Sequence, residues 1–323
     1  MHSYLHLKDY INKTLSKQTF DKTPETLFQP IKYILSIGGK RLRPVLMLMS
    51  CELFNGDIKY AIYPALGLEI FHNFTLLHDD IMDNAFLRRG KPTVHQKWSN
   101  NIAILSGDAM SITSYQYVTQ CKEEHLSKVL KVFNQTAVEV CQGQQLDMEF
   151  EQRDYIDINE YLMMIKYKTA VLFGCSMQLG SVLANSTLRN QNLIYDIGVN
   201  LGLAFQLQDD YLDSFGNKNI FGKKIGGDIL ANKKTFLLIK ALEKADNKAK
   251  KMLQQYLQQT DNQQKKINAI INIYKEMNID ILIKNEIHKY LNKSLQLLNK
   301  LSIPNSNKTE LYKLIEQIVK RNK

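Results

Sequence analysis

The sequence predicts an all-α protein, and three observations support this prediction. Only six of the 323 residues are prolines, and none lies between Pro92 and Pro304. Because proline interrupts both helices and turns, so long a stretch without it favours helices. Apolar residues recur at helical spacing through most of the chain, and valine and threonine do not form the alternating runs typical of strands. We therefore expect about ten helices and no sheet.

The helices can be placed in order along the chain. Apolar positions about one turn apart predict the first helix within residues 3–20. Thr23 and Pro24 are typical of an N-cap and the first helical residue after it. The glycines at 38–39 end that second helix, and Pro44 opens the third. The remaining helices are predicted over residues 61–83, 103–124, 126–150, 158–184, 191–215, 235–245 and, in helical period, 248–300.

Composition and charge are those of an ordinary soluble protein with a substantial core. Hydrophobic residues make up 44% and charged residues 23% of the chain, and no shift in composition marks a linker. We therefore expect one helical domain over residues 1–323. The 42 Lys and Arg outnumber the 32 Asp and Glu, which gives a formal charge of +10. This balance fits nucleic acid, acidic membrane or small anionic substrates, and charge alone does not decide between them.

The cysteines and the apolar segments of the sequence indicate the cellular compartment of the protein. The four cysteines lie far apart and form no C-x-x-C pair, which indicates reduced thiols rather than disulfides or a zinc site. The N-terminal residues have no apolar signal-peptide core. The longest weakly polar run, residues 171–184, is shorter than the ~20 residues of a membrane-spanning helix. We expect a cytoplasmic protein with no transmembrane segment.

Two aspartate motifs, DDIMD at 79–83 and DDYLD at 209–213, each end an apolar stretch. On a helix the first and fifth residues of such a motif share a face, and carboxylates in apolar surroundings need a positive partner. Mg²⁺ suits them, since it usually binds one or two carboxylates together with substrate phosphates. Two such helix ends predict a clamp for a metal-bridged diphosphate; the alternative is two solvated acidic turns that are alike by chance. The metal-site candidates are Asp79, Asp80, Asp83, Asp209, Asp210 and Asp213.

Cationic motifs accompany the aspartates, and they indicate phosphate binding. Helix starts and arginine side chains are both good partners of phosphate. The chain lacks the G-x-x-x-x-G-K-[ST] pattern of a nucleotide P-loop. Nucleic acid is disfavoured, because the cations lie beside carboxylates and without interleaved aromatic residues. The motifs are GGKRLRP (38–44), RRGKP (88–92), KT (168–169), GKK (222–224) and NKK (232–234).

These motifs resemble those of the trans-isoprenyl diphosphate synthases, the family of farnesyl and geranylgeranyl diphosphate synthases. The resemblance runs from Gly38 to nearly the end of the chain, and the order and spacing of the motifs match throughout. It further includes GQQLD (143–147), QLQDDYLD (206–213) and GKKIGGDILANKKT (222–235). It implies a single-domain, isoprenoid synthase-type bundle of about ten or more helices around a central cavity. It also implies a homodimer in which the segment 103–118 lies between subunits.

The activity that the resemblance implies is that of a short-chain trans-prenyltransferase. Such enzymes join isopentenyl diphosphate to allylic diphosphates (dimethylallyl, geranyl or farnesyl) by Mg²⁺-assisted ionisation, condensation and elimination, with several ions per site. The expected product is geranylgeranyl diphosphate (C20) or farnesyl diphosphate (C15). Alternatives are another class I isoprenoid enzyme (a terpene cyclase or head-to-head synthase), a non-catalytic subunit of a heteromeric prenyl synthase and, from charge only, a nucleic-acid-binding protein.

The resemblance also implies roles for individual residues. Three aspartates would ligate Mg²⁺ and the others would support them directly or through water; the ligands are Asp79, Asp83 and Asp209. The allylic diphosphate would be held by Arg88, Lys168, Gln206, Lys223 (or its neighbour Lys224) and Lys233. Isopentenyl diphosphate would be held by Lys40, Arg43, His72 and Arg89. The allylic cation would face the carbonyls of Lys168 and Thr169, the Thr169 hydroxyl and the Gln206 amide oxygen, which with the three ligand aspartates are the catalytic candidates.

Some of these residues also have a plainer interpretation. His72 lies two helical turns before Asp79 on a compatible face, but a hydrogen-bonded core histidine is the other explanation. Gln144 and Asp147 belong either to a hydrogen-bonded shell behind the diphosphate or to a polar network between helices. The basic residues 320–323 resemble a tail that closes over the site in relatives, and a solvated chain end is the alternative.

Product length is expected to depend on side chains one turn before the first aspartate motif. One helical turn rises ~5.4 Å, about the length of one prenyl unit. Phe74 and Thr75 lie five and four positions before Asp79, where a large side chain forms the pocket floor in the family. A single aromatic residue here and no insertion within DDIMD favour C20 over C15, with Phe71 as a second floor. The alternative is that both phenylalanines are only core.

Overall fold

The computed structural model describes residues 1–216 and 225–319. These residues are mostly helical, with almost no strand, which confirms the all-α prediction. Within these ranges no helix combines the length and the apolar character that crossing a membrane requires. The α-helices are α1 (Tyr4–Ser16), α2 (Glu25–Ser36), α3 (Leu42–Leu53), α4 (Ile62–Met82), α5 (Val94–Lys97), α6 (Asn100–Val118), α7 (Glu123–Gln152), α8 (Ile158–Ile165), α9 (Val171–Leu183), α10 (Leu188–Phe215), α11 (Gly227–Leu230), α12 (Phe236–Lys244), α13 (Asn247–Gln258), α14 (Gln263–Glu276), α15 (Ile279–Asn299) and α16 (Asn305–Val319).

Two helix starts differ from the prediction. Pro24 is the N-cap of α2 with an extended backbone, so that helix begins one residue later. α3 begins at Leu42, two residues before Pro44, since a proline in the first helical turn costs no hydrogen bond. Arg41 caps α3 with a left-handed backbone, φ 53°, two residues after the glycines at 38–39, which both have positive φ. These residues turn the chain sharply between α2 and α3.

A two-residue turn begins between the adjacent residues Arg88 and Arg89. It joins β1 (Leu87–Arg88) to β2 (Lys91–Pro92), a short antiparallel hairpin that the sequence did not predict. Arg89 and Gly90 form the turn, and both have positive φ, 53° and 74°. Tight hairpins favour that conformation. Because of this turn, the side chains of Arg88 and Arg89 reach different partners.

The predicted helix over residues 158–184 is divided by a π-helix. The π-helix, Lys166–Ala170, lies between α8 and α9 and contains Lys168 and Thr169. Such turns are rare and occur frequently at functional sites. Gly143 of α7 lies against it, and a Cβ on this glycine would come within 2.1 Å of the Lys168 backbone nitrogen. A glycine is therefore required for α7 to approach the π-helix this closely.

The chain divides into two compact units. The 79–83 motif belongs to the first unit, and the 209–213 motif belongs to the second. The prediction of one domain over residues 1–323 stays a prediction. The first unit comprises residues 1–134, 175–195 and 301–311, and the second comprises the described residues of 135–174, 196–300 and 312–323.

Each unit has an apolar core that supports one aspartate motif. In the first unit α4 packs along α6, and Leu66 and Met110 are fully buried on these helices. In the second unit α12 packs against α15, and α10, which carries the motif, buries Leu207 and Leu212. The carboxylates therefore lie at the ends of well-packed helices, which are more precise supports than loops.

Candidate active site

The end of α4 carries the first aspartate motif. Asp79 is half-buried and Asp83, one turn later, is exposed. Asp80 is only 2% exposed, and Nε and Nη2 of Arg88 donate to its two oxygens at 2.7–2.9 Å. Burial raises the pKa of Asp80, and the hydrogen bonds from Arg88 oppose that shift. The second aspartate of the motif thus binds a guanidinium of the hairpin, and the first and fifth are the more accessible carboxylates.

The end of α10 repeats this arrangement with different partners. The first and fifth aspartates of the second motif are half-buried, whereas Asp210 is 5% exposed. The phenol of Tyr161 donates to Asp210 Oδ2, and the Gln206 amide donates to Oδ1 at 3.0 Å. Burial, together with the charge of Asp228, raises the pKa of Asp210 to about 8. In both motifs, therefore, the second aspartate is the buried one and is held by side-chain donors.

The π-helix brings two predicted catalytic residues into contact with other site residues. The Thr169 hydroxyl donates to Gln206 Oε1 at 3.0 Å. Lys168 Nζ donates to Asp147 Oδ2 at 2.6 Å, so Asp147 contacts a predicted diphosphate ligand directly. Gln144 Oε1 is buried and has no hydrogen-bond partner among the described residues. Thr169 and Gln206 are thus joined, and Lys168 is held by a carboxylate of α7.

Asp228 is a residue to which the sequence reasoning assigns no role. Its backbone nitrogen donates to Asp213 Oδ2 at 3.0 Å, and Gly226 N donates to the Asp213 carbonyl oxygen at 2.7 Å. Lys233 N in turn donates to the Asp228 carbonyl oxygen at 2.9 Å. This segment is therefore tied to the second aspartate motif. The sequence does contain an indication of its importance, because Asp228 is the single acidic residue of the otherwise basic motif at 222–235.

Arg41 anchors the segment between α2 and α3. Its Nη1 donates to Glu69 Oε1 at 2.6 Å in an almost fully buried ion pair. Nε donates to Asn12 Oδ1 at 3.1 Å, and Nη2 donates to the Leu35 carbonyl oxygen at 2.9 Å. All three guanidinium nitrogens therefore have protein acceptors. The sequence motif groups Arg41 with phosphate-binding cations, but the structure makes it an internal anchor between two predicted ligands of isopentenyl diphosphate.

Arg43 and His72, two of the predicted ligands of isopentenyl diphosphate, are in contact. Arg43 Nη1 lies 2.9 Å from His72 Nε2. Since a guanidinium only donates, Nε2 accepts this bond and the proton of the neutral imidazole lies on Nδ1. Burial lowers the pKa of His72 well below its usual value, and the charges of Arg43, Arg89, Arg88 and Arg41 lower it further. Two of these four guanidiniums, Arg41 and Arg88, are paired with carboxylates, so the positive charge beside the neutral histidine comes from Arg43 and Arg89. This part of the first unit is suited to an anion.

Arg89 reaches back to the turn between α2 and α3. Its Nη1 donates to the Gly38 carbonyl oxygen. A Cβ on Gly39 would lie 2.9 Å from Arg89 Nη2, so the glycine leaves room for the guanidinium. Lys40, the fourth predicted ligand of isopentenyl diphosphate, is exposed on the same turn. The four predicted ligands thus all belong to the first unit: Arg43 contacts His72, and Arg89 binds the turn that carries Lys40.

We expect His72 to make the protein less stable in mild acid. Its pKa in the folded protein lies below 6.5, the ordinary value for histidine. As the pH falls through about 6.5, the unfolded chain binds a proton that the folded protein does not, so the free energy of unfolding falls by up to about 1.4 kcal/mol per pH unit. Urea unfolding of the wild type and His72→Gln, followed from neutral to mildly acidic pH, measures this slope.

The variant is expected to lose stability less steeply with acid than the wild type. His288→Gln is the matched control, because His288 is exposed on α15. It is expected to keep the wild-type slope. Equal slopes in all three proteins would contradict the prediction, since His72 would then titrate alike in the folded and unfolded states.

An aromatic group lies on α4 before the first motif. The Phe74 and Phe71 rings meet edge to face with centroids 5.5 Å apart. Phe71 also contacts Phe133 at 5.1 Å, and Phe133 contacts Tyr115 at 4.9 Å. Phe74 is half-buried and Phe71 is buried. Thr75, in contrast, donates its hydroxyl to the carbonyl oxygen one turn earlier at 2.8 Å. Phe74 is therefore the more accessible of the two phenylalanines.

The carboxylates fit a metal ion that is completed by substrate. Within residues 1–216 and 225–319, no three His, Cys, Asp or Glu side chains are grouped to hold a metal ion by themselves. Mg²⁺ requires no such group, because its protein sites usually supply one or two carboxylates and leave the other positions to water and phosphate oxygens. Asp79 on α4, Asp83 at the C-cap of α4, and the corresponding Asp209 and Asp213 on α10 are oxygen ligands of that kind.

Some predicted site residues fall outside the part of the chain that the structure describes. Lys223 and its neighbour Lys224 do so, as do the basic residues 320–323. Their roles stay predictions, and so do the assignments of the described site residues to metal, diphosphates and product length.

The fold and the site together define the class of protein. The all-α fold carries carboxylates suited to Mg²⁺ and guanidiniums suited to phosphate. This combination is typical of an enzyme that acts on diphosphates. The family model described as Polyprenyl synthetase matches residues 24–274, and the chain belongs to this family. It is accordingly a transferase that acts as a prenyltransferase.

Similar proteins narrow the class to short-chain synthases. Geranylgeranyl diphosphate synthase of Sulfolobus acidocaldarius is 35% identical over 300 residues, which cover 92% of this chain and 88% of the relative. The short chain isoprenyl diphosphate synthase of Methanocaldococcus jannaschii is 38% identical over 259 residues, covering 80% and 79%. A crystal structure of geranylgeranyl pyrophosphate synthase matches over 100% of both chains with a TM-score of 0.94 at 43% identity. That of the Pyrococcus horikoshii Ot3 enzyme covers 98% and 97%, with a TM-score of 0.91 at 32% identity.

Proposed function

We propose that this protein joins isopentenyl diphosphate to allylic diphosphates and releases geranylgeranyl diphosphate, the C20 product. The observation that carries the proposal is the positive region around the neutral His72. An enzyme that catalyses this condensation binds two diphosphates. The positive region gives the second, isopentenyl diphosphate, a binding site that is separate in kind from the metal-binding carboxylates. A terpene cyclase has a single diphosphate substrate and needs no second diphosphate site. The relatives named as geranylgeranyl diphosphate synthases support C20, and farnesyl diphosphate (C15) is the second candidate because Phe74 supplies an aromatic floor.

The first chemical step breaks the bond between allylic C1 and the diphosphate oxygen. Mg²⁺, when bound, neutralises the negative charge that develops on the departing diphosphate, and the family uses a divalent metal. As positive charge develops on the allylic carbon, the oxygens of Thr169 and Gln206 stabilise it as preorganised dipoles. The proposed metal ligands are Asp79, Asp83 and Asp209, supported by Asp80, Asp210 and Asp213. The proposed cationic ligands of this diphosphate are Arg88, Lys168, Lys223 and Lys233.

The second step forms the new bond from the terminal alkene carbon of isopentenyl diphosphate to allylic C1. His72 contributes position rather than charge, since its neutral Nε2 accepts a hydrogen bond from Arg43 and so orients that guanidinium. A proton then leaves C2 of the isopentenyl unit, and the released diphosphate is the proposed acceptor. The proposed ligands of isopentenyl diphosphate are Lys40, Arg43, His72 and Arg89.

A direct assay tests the proposed function. Purified protein is incubated with labelled isopentenyl diphosphate, Mg²⁺ and each allylic primer in turn, and the product length is read by mass spectrometry. We expect isopentenyl diphosphate to be consumed and C20 diphosphate to accumulate. A C15 end product would replace the first candidate by the second. Failure to consume isopentenyl diphosphate with any primer would overturn the proposal.

We also propose that the protein is a homodimer that pairs through α6. Ile104, Leu105 and Ile112 of this helix are 42–63% exposed in the single chain. Large apolar side chains concentrated on one exposed helix favour a protein partner. Light scattering after gel filtration measures the mass. A monomer at micromolar concentration would overturn this part of the proposal.

Phe74→Ala is expected to lengthen the product. The half-buried Phe74 ring covers the buried Phe71, so alanine removes one ring and exposes the next. The space gained is about one helical turn, ~5.4 Å, which corresponds to one further prenyl unit. The product mixture of the variant, separated by chain length, measures the change.

Phe54→Ala is the control for this substitution. Phe54 is half-buried in the same unit and is the C-cap residue of α3, outside the aromatic group of Phe71, Phe74, Phe133 and Tyr115. It is expected to leave the product unchanged. An unaltered product spectrum in Phe74→Ala would show that Phe74 is not the floor.

A further inference from the structure

A buried hydrogen-bond chain links α8, the π-helix and α10 in the second unit. Tyr161, 2% exposed, donates its phenol to Asp210 Oδ2. Gln206 Nε2 donates to Asp210 Oδ1 at 3.0 Å, and the Thr169 hydroxyl donates to Gln206 Oε1 at 3.0 Å. The chain therefore runs from Tyr161 through Asp210 and Gln206 to Thr169, and it joins three separate helical elements.

The chain determines which end of the Gln206 amide faces Thr169. An amide has a donor end and an acceptor end, and Asp210 Oδ1 accepts from the donor end. The acceptor end, Oε1, then points to the Thr169 hydroxyl. A reversed amide would place its NH₂ group, with partial positive charge, beside the groups proposed to stabilise the allylic cation. The orientation of Gln206 therefore decides whether it stabilises or opposes that cation.

Tyr161 fixes the side chain of Asp210, and Asp210 in turn fixes the amide of Gln206. Both oxygens of Asp210 have a protein donor, one from α8 and one from its own helix. Without the Tyr161 hydroxyl, Asp210 could rotate away from Gln206. Burial and the charge of Asp210 raise the pKa of the Tyr161 phenol well above its usual value, so the phenol keeps its proton and remains a donor.

We propose that Tyr161 and Asp210 are positioning residues, which turn the Gln206 amide oxygen toward Thr169 and so toward the allylic cation. This rests on the proposed prenyl transfer and adds to it. Asp80 of the first motif differs, because its donor is the charged Arg88 rather than neutral groups. The second aspartates of the two motifs thus hold different groups: Asp80 orients a guanidinium, and Asp210 orients an amide dipole.

Tyr161→Phe tests the proposal, because it removes only the hydroxyl. Loss of one ordinary hydrogen bond corresponds to a fall in kcat of about threefold to tenfold. The KM for isopentenyl diphosphate is expected to stay within about twofold, since a positioning role on the cation affects the transition state rather than that substrate's binding. Tyr290→Phe is the matched control: it removes a phenol bonded to Glu286 one turn earlier on α15, and it is expected to behave as wild type.

A double-mutant cycle with Gln206→Leu separates positioning from a general structural effect. If Tyr161 acts through Gln206, adding Tyr161→Phe to Gln206→Leu lowers kcat no further. Multiplication of the two single effects would overturn the proposal, as would a wild-type kcat in Tyr161→Phe. If Tyr161→Phe did not fold, Asp210→Asn would enter the same cycle. Because Asp210 is also proposed to support the metal ligands, only the part of its kcat loss that disappears in Gln206→Leu counts as positioning, and strict multiplication of the two effects would overturn the proposal. The proposed function is tested independently in the same assay by whether the wild-type protein consumes isopentenyl diphosphate.

Discussion

Asp79→Ala is expected to lower kcat at least about 100-fold, and Asp209→Ala by a similar factor. Each change removes a carboxylate that we propose to hold Mg²⁺, so the departing diphosphate loses part of its charge neutralisation. Both variants are also expected to need more Mg²⁺ for half-maximal rate. Steady-state rates with labelled isopentenyl diphosphate over a range of Mg²⁺ concentrations measure both effects.

The control for these variants is Asp196→Ala. Asp196 is exposed and lies on α10, the helix that carries Asp209. It is expected to keep the wild-type kcat and Mg²⁺ requirement. A wild-type rate in Asp79→Ala or Asp209→Ala would refute the role of that aspartate. An equal loss of kcat in Asp196→Ala would show that substitutions on α10 impair the enzyme in general. The loss of kcat in Asp209→Ala would then be no evidence that Asp209 binds a metal ion.

Glu69→Ala is expected to lower the free energy of unfolding by about 3–5 kcal/mol. The side chains of Arg41 and Glu69 are 3% and 2% exposed, so alanine leaves a buried guanidinium without its opposite charge. Asn73 also loses an acceptor, because its amide donates to Glu69 Oε1 at 3.1 Å. Urea unfolding at one pH and temperature measures the loss.

Asp21→Ala provides the comparison, because it breaks an ion pair of the same unit that is exposed to solvent. Lys32 Nζ lies 2.8 Å from Asp21 Oδ1, and both side chains are mostly exposed. The expected loss is below about 1 kcal/mol, since solvent screens such pairs. A Glu69→Ala loss no larger than this would mean that Arg41 reaches water or another acceptor. It would then not be the anchor that we infer.

Much of the fold could be predicted because it depends on local spacing. Helical periodicity is a property of a few consecutive turns, and the i, i+4 relation that places Asp79 beside Asp83 is equally local. The division of the predicted helix at 158–184 could not be predicted in this way. The π-helix there packs against Gly143 of α7, which is distant in the sequence, so its position depends on a tertiary contact.

The cations of the 38–44 motif show the same limit. Spacing treats Lys40, Arg41 and Arg43 alike, as three positive charges at a helix start. The structure gives them different surroundings: Lys40 is exposed, Arg43 binds a histidine, and Arg41 is buried against Glu69. The difference could not be predicted because the partners lie on another helix.

The sequence by itself determined the all-α class, the two aspartate motifs and the cationic segments that accompany them. These features follow from residue type and from spacing within one or two helical turns. Only the tertiary structure decided that the second aspartate of each motif is buried, with Asp80 on Arg88 and Asp210 on Tyr161 and Gln206. Burial and hydrogen bonding depend on which distant segments meet, and a one-dimensional pattern does not contain that information.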